Sequence, residues 1–198
     1  MRKIPPPEKL ESYWYALGKF VQRYAEVEYA LNNVLRLVSR TTLWQAQMLF
    51  SGFRVRDAMQ TIKRFYSASD TELDPWLARC FPKLGEITTL RDRLLHYGVE
   101  DDSGEFLVTD AHKNIAPRAF RMTITADDLD DLEADTITCL ACLNAFWLEV
   151  RSPNRSRKRL ERERQLALAP WRYRPPRPKR SQASSQRAAR KQSLPPQS

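Results

Sequence analysis

Residues 13–38, YWYALGKFVQRYAEVEYALNNVLRLV, decide the fold. Apolar side chains recur at 13, 17, 20, 24, 27, 31, 34 and 38, in steps that alternate between four and three. Alternation of this kind keeps one face of a 3.6-residue helix apolar for more than three heptads. At about 1.5 Å per residue the seam is about 40 Å long. A seam of that length packs against another long helix, in the same chain or in a second copy. Trp14, Val21 and Leu35 widen the stripe, which favours a globular bundle over a bare coiled coil.

Working outward, Pro5-Pro6-Pro7 delivers an extended chain to this helix. After it, Thr41-Thr42 interrupts, and Thr42 suits the cap of a second helix from Leu43. That helix meets Gly52, a kink or a break, and the period resumes at Val55, Met59, Ile62 and Phe65. Ser67-Ala68-Ser69-Asp70 is a turn. Asp74-Pro75 opens a short helix, with Pro82 as its end or as a second start. Leu84, Ile87, Leu90, Leu94 and Leu95 define the next helix, with Gly98 as its left-handed stop. From 99 to 124 the helical period disappears. Phe106-Leu107-Val108 and Phe120 to Ile124 read as a small β-hairpin insertion, joined by a long loop. Thr125 with Asp128 forms a capping box for a last long helix through Ile137, Leu140, Leu143 and Trp147. The expectation is an all-α, antiparallel helical bundle over residues 1–152.

The charge is divided. Residues 151–198 hold fifteen Lys/Arg against two acids, +13, whereas residues 1–150 hold eighteen against twenty-two, −4. Residues 153–198, rich in Pro, Ser, Gln and Arg, read as a disordered basic tail, in which Leu160 to Leu168 could form a charged helical turn or two. Within it Arg155, Arg157, Lys158 and Arg159 precede Trp171-Arg172-Tyr173-Arg174. Basic groups grip phosphate without regard to sequence, and interleaved aromatics stack on bases. The plainer reading is a soluble disordered tail, or one that binds any acidic surface. Three cysteines leave no disulfide framework and point to a reducing cytoplasm. The N-terminus lacks the apolar core of a signal peptide, and the longest uncharged run, Thr136 to Leu148, is too short for a membrane span.

The chemistry-bearing stretch is Arg91-Asp92-Arg93-Leu94-Leu95-His96-Tyr97-Gly98, which holds one of two histidines. Imidazole moves protons near neutral pH. A guanidinium fork grips phosphate and stabilises charge on its oxygens. Asp92 could orient either group, and Tyr97 could stack on a base. The plainer reading is that Arg91 and His96 solvate a helix end and complement its dipole. Elsewhere, Cys139-x-x-Cys142 reads as core and His112 as a surface imidazole. Glu26, Glu28, Asn32 and Asn33 read as a solvated helix face that could border a cleft. There is no Gly-rich phosphate loop, and neither a metal nor a cofactor is expected.

An arginine, four residues and a histidine late in a helical body resembles the motif of the HEPN family of small helical proteins. The resemblance covers roughly residues 10–150. It implies a metal-independent endoribonuclease with Arg91 and His96 as the catalytic pair, in which a ribose 2′-OH attacks the adjacent phosphorus. HEPN members commonly carry Asn where this chain has Asp92, and a small residue where it has Tyr97. The resemblance also implies a homodimer with facing motif helices, a toxin or defence role, and a nucleotidyltransferase-like antitoxin partner. Two other readings stand beside it: a non-catalytic helical binding module, and an RNA-binding protein driven by its tail alone.

Overall fold

The computed structural model of the chain describes residues 7–96, 98–102, 105–109, 121–151 and 157–175. Over them the protein is an all-α bundle with a small antiparallel sheet at one end. Helix α1 (Pro7–Val38) buries Tyr13, Leu17, Phe20, Tyr24, Val27, Leu31 and Val34, the seam read from the sequence. Leu35 widens the stripe as expected, but Trp14 turns outward. The seam packs chiefly on α5 (Ala126–Arg151). Lys19 clamps the pair from outside, reaching Asp130 at 2.7 Å and Glu133 at 3.2 Å. Past the end of α1, Arg40 adopts φ 54°. Thr41 N–H donates to Arg36 O and Arg40 N–H to Leu37 O, which closes the last carbonyls with a Schellman motif.

Thr42 caps α2 (Leu43–Phe50) through a capping box with Gln45. Gly52 lies in a break rather than a kink, and α3 (Val55–Ala68) follows with Val55, Ala58, Met59 and Ile62 buried. Helix α4 (Pro75–His96) is one continuous element. The boundary expected at Pro82 is absent. Pro82 sits on the exposed side, while Leu77, Cys80, Phe81, Leu84 and Ile87 are buried on both sides of it. Tertiary burial outweighs the loss of one helix hydrogen bond.

The expected hairpin is a three-stranded antiparallel sheet, β1 (Gly98–Asp102), β2 (Glu105–Thr109) and β3 (Arg121–Ile124), in the order β1-β2-β3. Phe106 pairs with Ile124 and Gly98 with Thr109. Gly98 therefore begins a strand. Phe106, Val108, Met122 and Ile124 turn inward, and the Phe106 ring stacks on Tyr13 at 3.9 Å. Thr125 and Asp128 form the predicted box that starts α5.

The folded body extends past residue 152. Helix α6 (Arg157–Ala167) packs on α5 and buries Leu160 and Ala167, and residues 168–175 return along α4. The expected tail boundary moves accordingly. Charge composition marks residues 157–175 as solvated, but Leu160, Ala167, Trp171 and Tyr173 give them apolar anchors.

Candidate active site

Arg91 and His96 are both on α4, five residues apart, which is about 140° around a regular helix. Arg91 faces α1. Its guanidinium lies over the Tyr24 ring at 5.1 Å, and Nη1 donates to Asp92 Oδ1 at 3.0 Å. Arg91 Nε is buried without a hydrogen-bond partner among the described residues, while the side chain as a whole stays 27% exposed. Tyr24 is itself fixed: its hydroxyl donates to Thr88 Oγ1 at 2.9 Å, and Thr88 donates to Leu84 O at 2.7 Å. Burial pushes the Tyr24 phenol up to about 12. The arginine is thus held by a locked aromatic floor and a neighbouring carboxylate.

His96 is the last residue of α4, and its side chain is exposed. Leu94, beside it, is buried, but Leu95 is 42% exposed, so only one of the two leucines anchors this turn. Arg93 precedes His96 by three residues, about 60° away on the helix. Arg93 therefore shares the open side of α4 with His96, and Arg91 shares the packed side with Leu84. On a regular helix the two groups of the expected pair therefore point about 140° apart. Tyr97, His112 and Arg155 lie outside the described residues.

The Arg93 side leads into a cavity of about 290 Å³ between α4, β3 and α5, lined by Lys83, Ile87, Leu90, Met122, Leu132 and Tyr173. One wall is the returning segment 171–175. It is held by groups that the motif reading missed. Asp135, fully buried, accepts the N–H of Arg172 at 2.6 Å and of Tyr173 at 3.1 Å. Lys83 pairs with Asp135 at 3.0 Å and donates to Tyr173 O at 3.0 Å. Arg79 donates to Ala167 O and Ala169 O, and lies 5.2 Å from the Trp171 ring. The available signal was positional. Lys83 and Asp135 each occupy a turn flanked by core residues, where a charge needs a buried partner.

Of the expected nucleic-acid contacts, Arg157, Lys158 and Arg159 are exposed on the first turn of α6, and Arg172 and Arg174 are exposed beyond it. Tyr173 is buried, and Trp171 packs against the core. The Tyr173 ring serves the fold and is not open for stacking on bases, whereas Trp171 is only partly buried. On α1, Glu26 pairs with Arg23 and Asn33 donates to Tyr29 O, the bonding of an ordinary solvated face. Cys80, Cys139 and Cys142 are free and buried, as the core reading expects. Among the described residues no cluster of His, Cys, Asp or Glu could hold a metal, and no helix is long and apolar enough to cross a membrane. Compared with protein-family models, curated proteins and solved structures, the chain matches none.

Proposed function

We propose that this protein is a metal-independent endoribonuclease of the HEPN type that works as a homodimer. The reading rests on the R-x4-H string and on one geometric observation. His96 stands exposed at the end of the helix whose preceding turns hold a solvent-reachable, pre-oriented Arg91. In the proposed reaction the ribose 2′-OH attacks phosphorus, the 5′-oxygen leaves, and a 2′,3′-cyclic phosphate forms. His96 transfers the proton and Arg91 takes the phosphate oxygens. With the two groups about 140° apart on one helix, each cleft takes one of them from a second copy. Arg157, Lys158 and Arg159 add salt-sensitive grip on the RNA backbone. A toxin or defence role with a nucleotidyltransferase-like antitoxin is part of the same proposal, as is action in the cytoplasm.

The experiment is RNA cleavage by purified protein in excess EDTA. Wild type cuts, and His96→Ala does not, although its helical circular dichroism is unchanged. Equal cleavage by both proteins removes the proposal. A second reading, a non-catalytic binding module, is favoured by the uncovered apolar surface of α2. It predicts no cleavage by either protein.

A further inference from the structure

Glu86 and Arg93 stand two turns apart on α4, within about 20° of each other around the helix, and both line the cavity between α4, β3 and α5. Ile87, Leu90, Met122 and Leu132 give that cavity apolar walls, and Lys83 with Glu86 gives it a polar end. Its volume of about 290 Å³ equals the liquid volume of about ten waters, which is room for one bicyclic base. The polar end has both signs. The Lys83 ammonium donates to Tyr173 O and to Asp135 at 3.0 Å each. Its next acceptor among the described residues is Glu86 at 3.7 Å, too long for a hydrogen bond. An ammonium carries a third proton, and here a ligand can take it. Glu86 is 67% exposed and presents acceptors only. A concave, mostly apolar site with a few convergent polar groups is the usual form of a small-ligand pocket.

We infer that this cavity holds one guanine base of an RNA strand, the base on the 5′ side of the bond that is cut. The inference takes RNA from the proposed nuclease reading and adds which base is recognised. Lys83 and Glu86 set a donor beside an acceptor, 3.7 Å apart. The pairing edge of guanine runs O6, N1–H and N2–H, an acceptor followed by two donors, and matches that order. Adenine and cytosine reverse it: each turns an amino group toward the ammonium and a ring lone pair toward the carboxylate. A site built to hydrogen-bond one pattern rejects the reversed one, because its own groups are left unpaired. Uracil matches O6 and N1–H only, and as a single ring it fills less of the cavity. The spacing also fits. From Glu86 to His96 is about 15 Å along the helix axis, with Arg93 between them. One guanosine bridges such a span, its base edge on Glu86 and its 3′-phosphate toward His96. A small apolar acid fits less well, because its carboxylate would meet Glu86, with Asp135 already on Lys83.

The test is fluorescence anisotropy on the full chain with 2′-O-methylated oligonucleotides, which lack the attacking hydroxyl and cannot be cut. An oligoadenylate with one central guanine binds about tenfold tighter, or more, than the all-adenine strand. Glu86→Ala collapses that ratio. The side chain is exposed, so the variant keeps its circular dichroism and thermal midpoint, and its lost charge acts on both strands alike and cancels in the ratio. Equal affinities in wild type overturn the inference, and so does a guanine preference that survives in Glu86→Ala. Guanosine triphosphate separates a strand from a free nucleotide: it competes weakly, and competition as strong as that of the strand would overturn the strand as occupant. Binding is read without cleavage, so the two readings fail separately. RNA cut in EDTA by a protein that binds both strands equally removes the guanine site and leaves the nuclease. A guanine preference in binding with no cleavage removes the nuclease and leaves the site.

Discussion

Asp135→Ala removes the carboxylate on which the end of the described chain depends. Asp135 is fully buried and takes three donors: the N–H groups of Arg172 and Tyr173, and the Lys83 ammonium. The substitution strands Lys83, itself buried, with the Tyr173 carbonyl as its remaining close partner and Glu86 at 3.7 Å. Breaking one side of a buried pair costs about 3–5 kcal/mol, and the surviving carbonyl bond puts this case near about 3. For a chain of this size each kcal/mol moves the midpoint by about 2–4 °C, so the expected fall is about 6–12 °C. The assay is thermal unfolding followed by circular dichroism, paired with limited tryptic digestion. Arg172 is exposed, but its backbone is held, and freeing it accelerates cleavage of the Arg172–Tyr173 bond; Arg174 precedes Pro175 and is not a tryptic site. Lys83→Met with Asp135→Leu is the control. It leaves no stranded charge, and the N–H groups of Arg172 and Tyr173 regain water as the returning segment 171–175 lifts, so it destabilises less than Asp135→Ala. A single variant within about 1 °C of wild type, cut no faster by trypsin, would refute the assignment of this pair as the anchor of segment 171–175.

Pro82 lies on the exposed side of α4, so Pro82→Ala restores a backbone donor at no packing cost. Stability should rise by about 1–3 kcal/mol, read as a higher urea midpoint with unchanged m-value. Burial pushes Tyr13, Tyr24 and Tyr173 each up to about 12, from 10.0. A phenol with a raised folded pKa contributes stability in full below 10, and that stability is lost as the pH climbs toward 12. The thermal midpoint should therefore fall steeply between pH 10 and 12, and less so in Tyr13→Phe; equal slopes would contradict this. Interaction with the Cys142 thiol and burial hold Cys80 well up, the same interaction lowers Cys142, and burial raises Cys139. All three are covered, so an aromatic disulfide reagent should label none in the native protein and all three in urea. Rapid native labelling of Cys142 would show that α6 lifts readily from α5.

Local patterns were legible in the sequence because their causes are local. The 4-3 spacing of α1 encodes its buried face, since helix geometry alone brings 13, 17, 20 and 24 to one side. The boxes Thr42/Gln45 and Thr125/Asp128 close within four residues, so their side chains need no distant partner. The R-x4-H string was equally visible, and so was the exposure of a histidine at a helix end. What only the tertiary structure decided were matters of distant partners. Pro82 stays inside α4 because the core covers the residues on either side of it. Residues 157–175 join the body because Asp135, Lys83 and Arg79 capture their backbone from 30 or more positions away, a match that composition averages out. Arg91 turns to Tyr24 because that ring, fixed on Thr88, reaches α4 from α1, and His96 turns to solvent. A one-dimensional spacing counts residues along a helix, and it is the neighbouring helices that determine which of them meet.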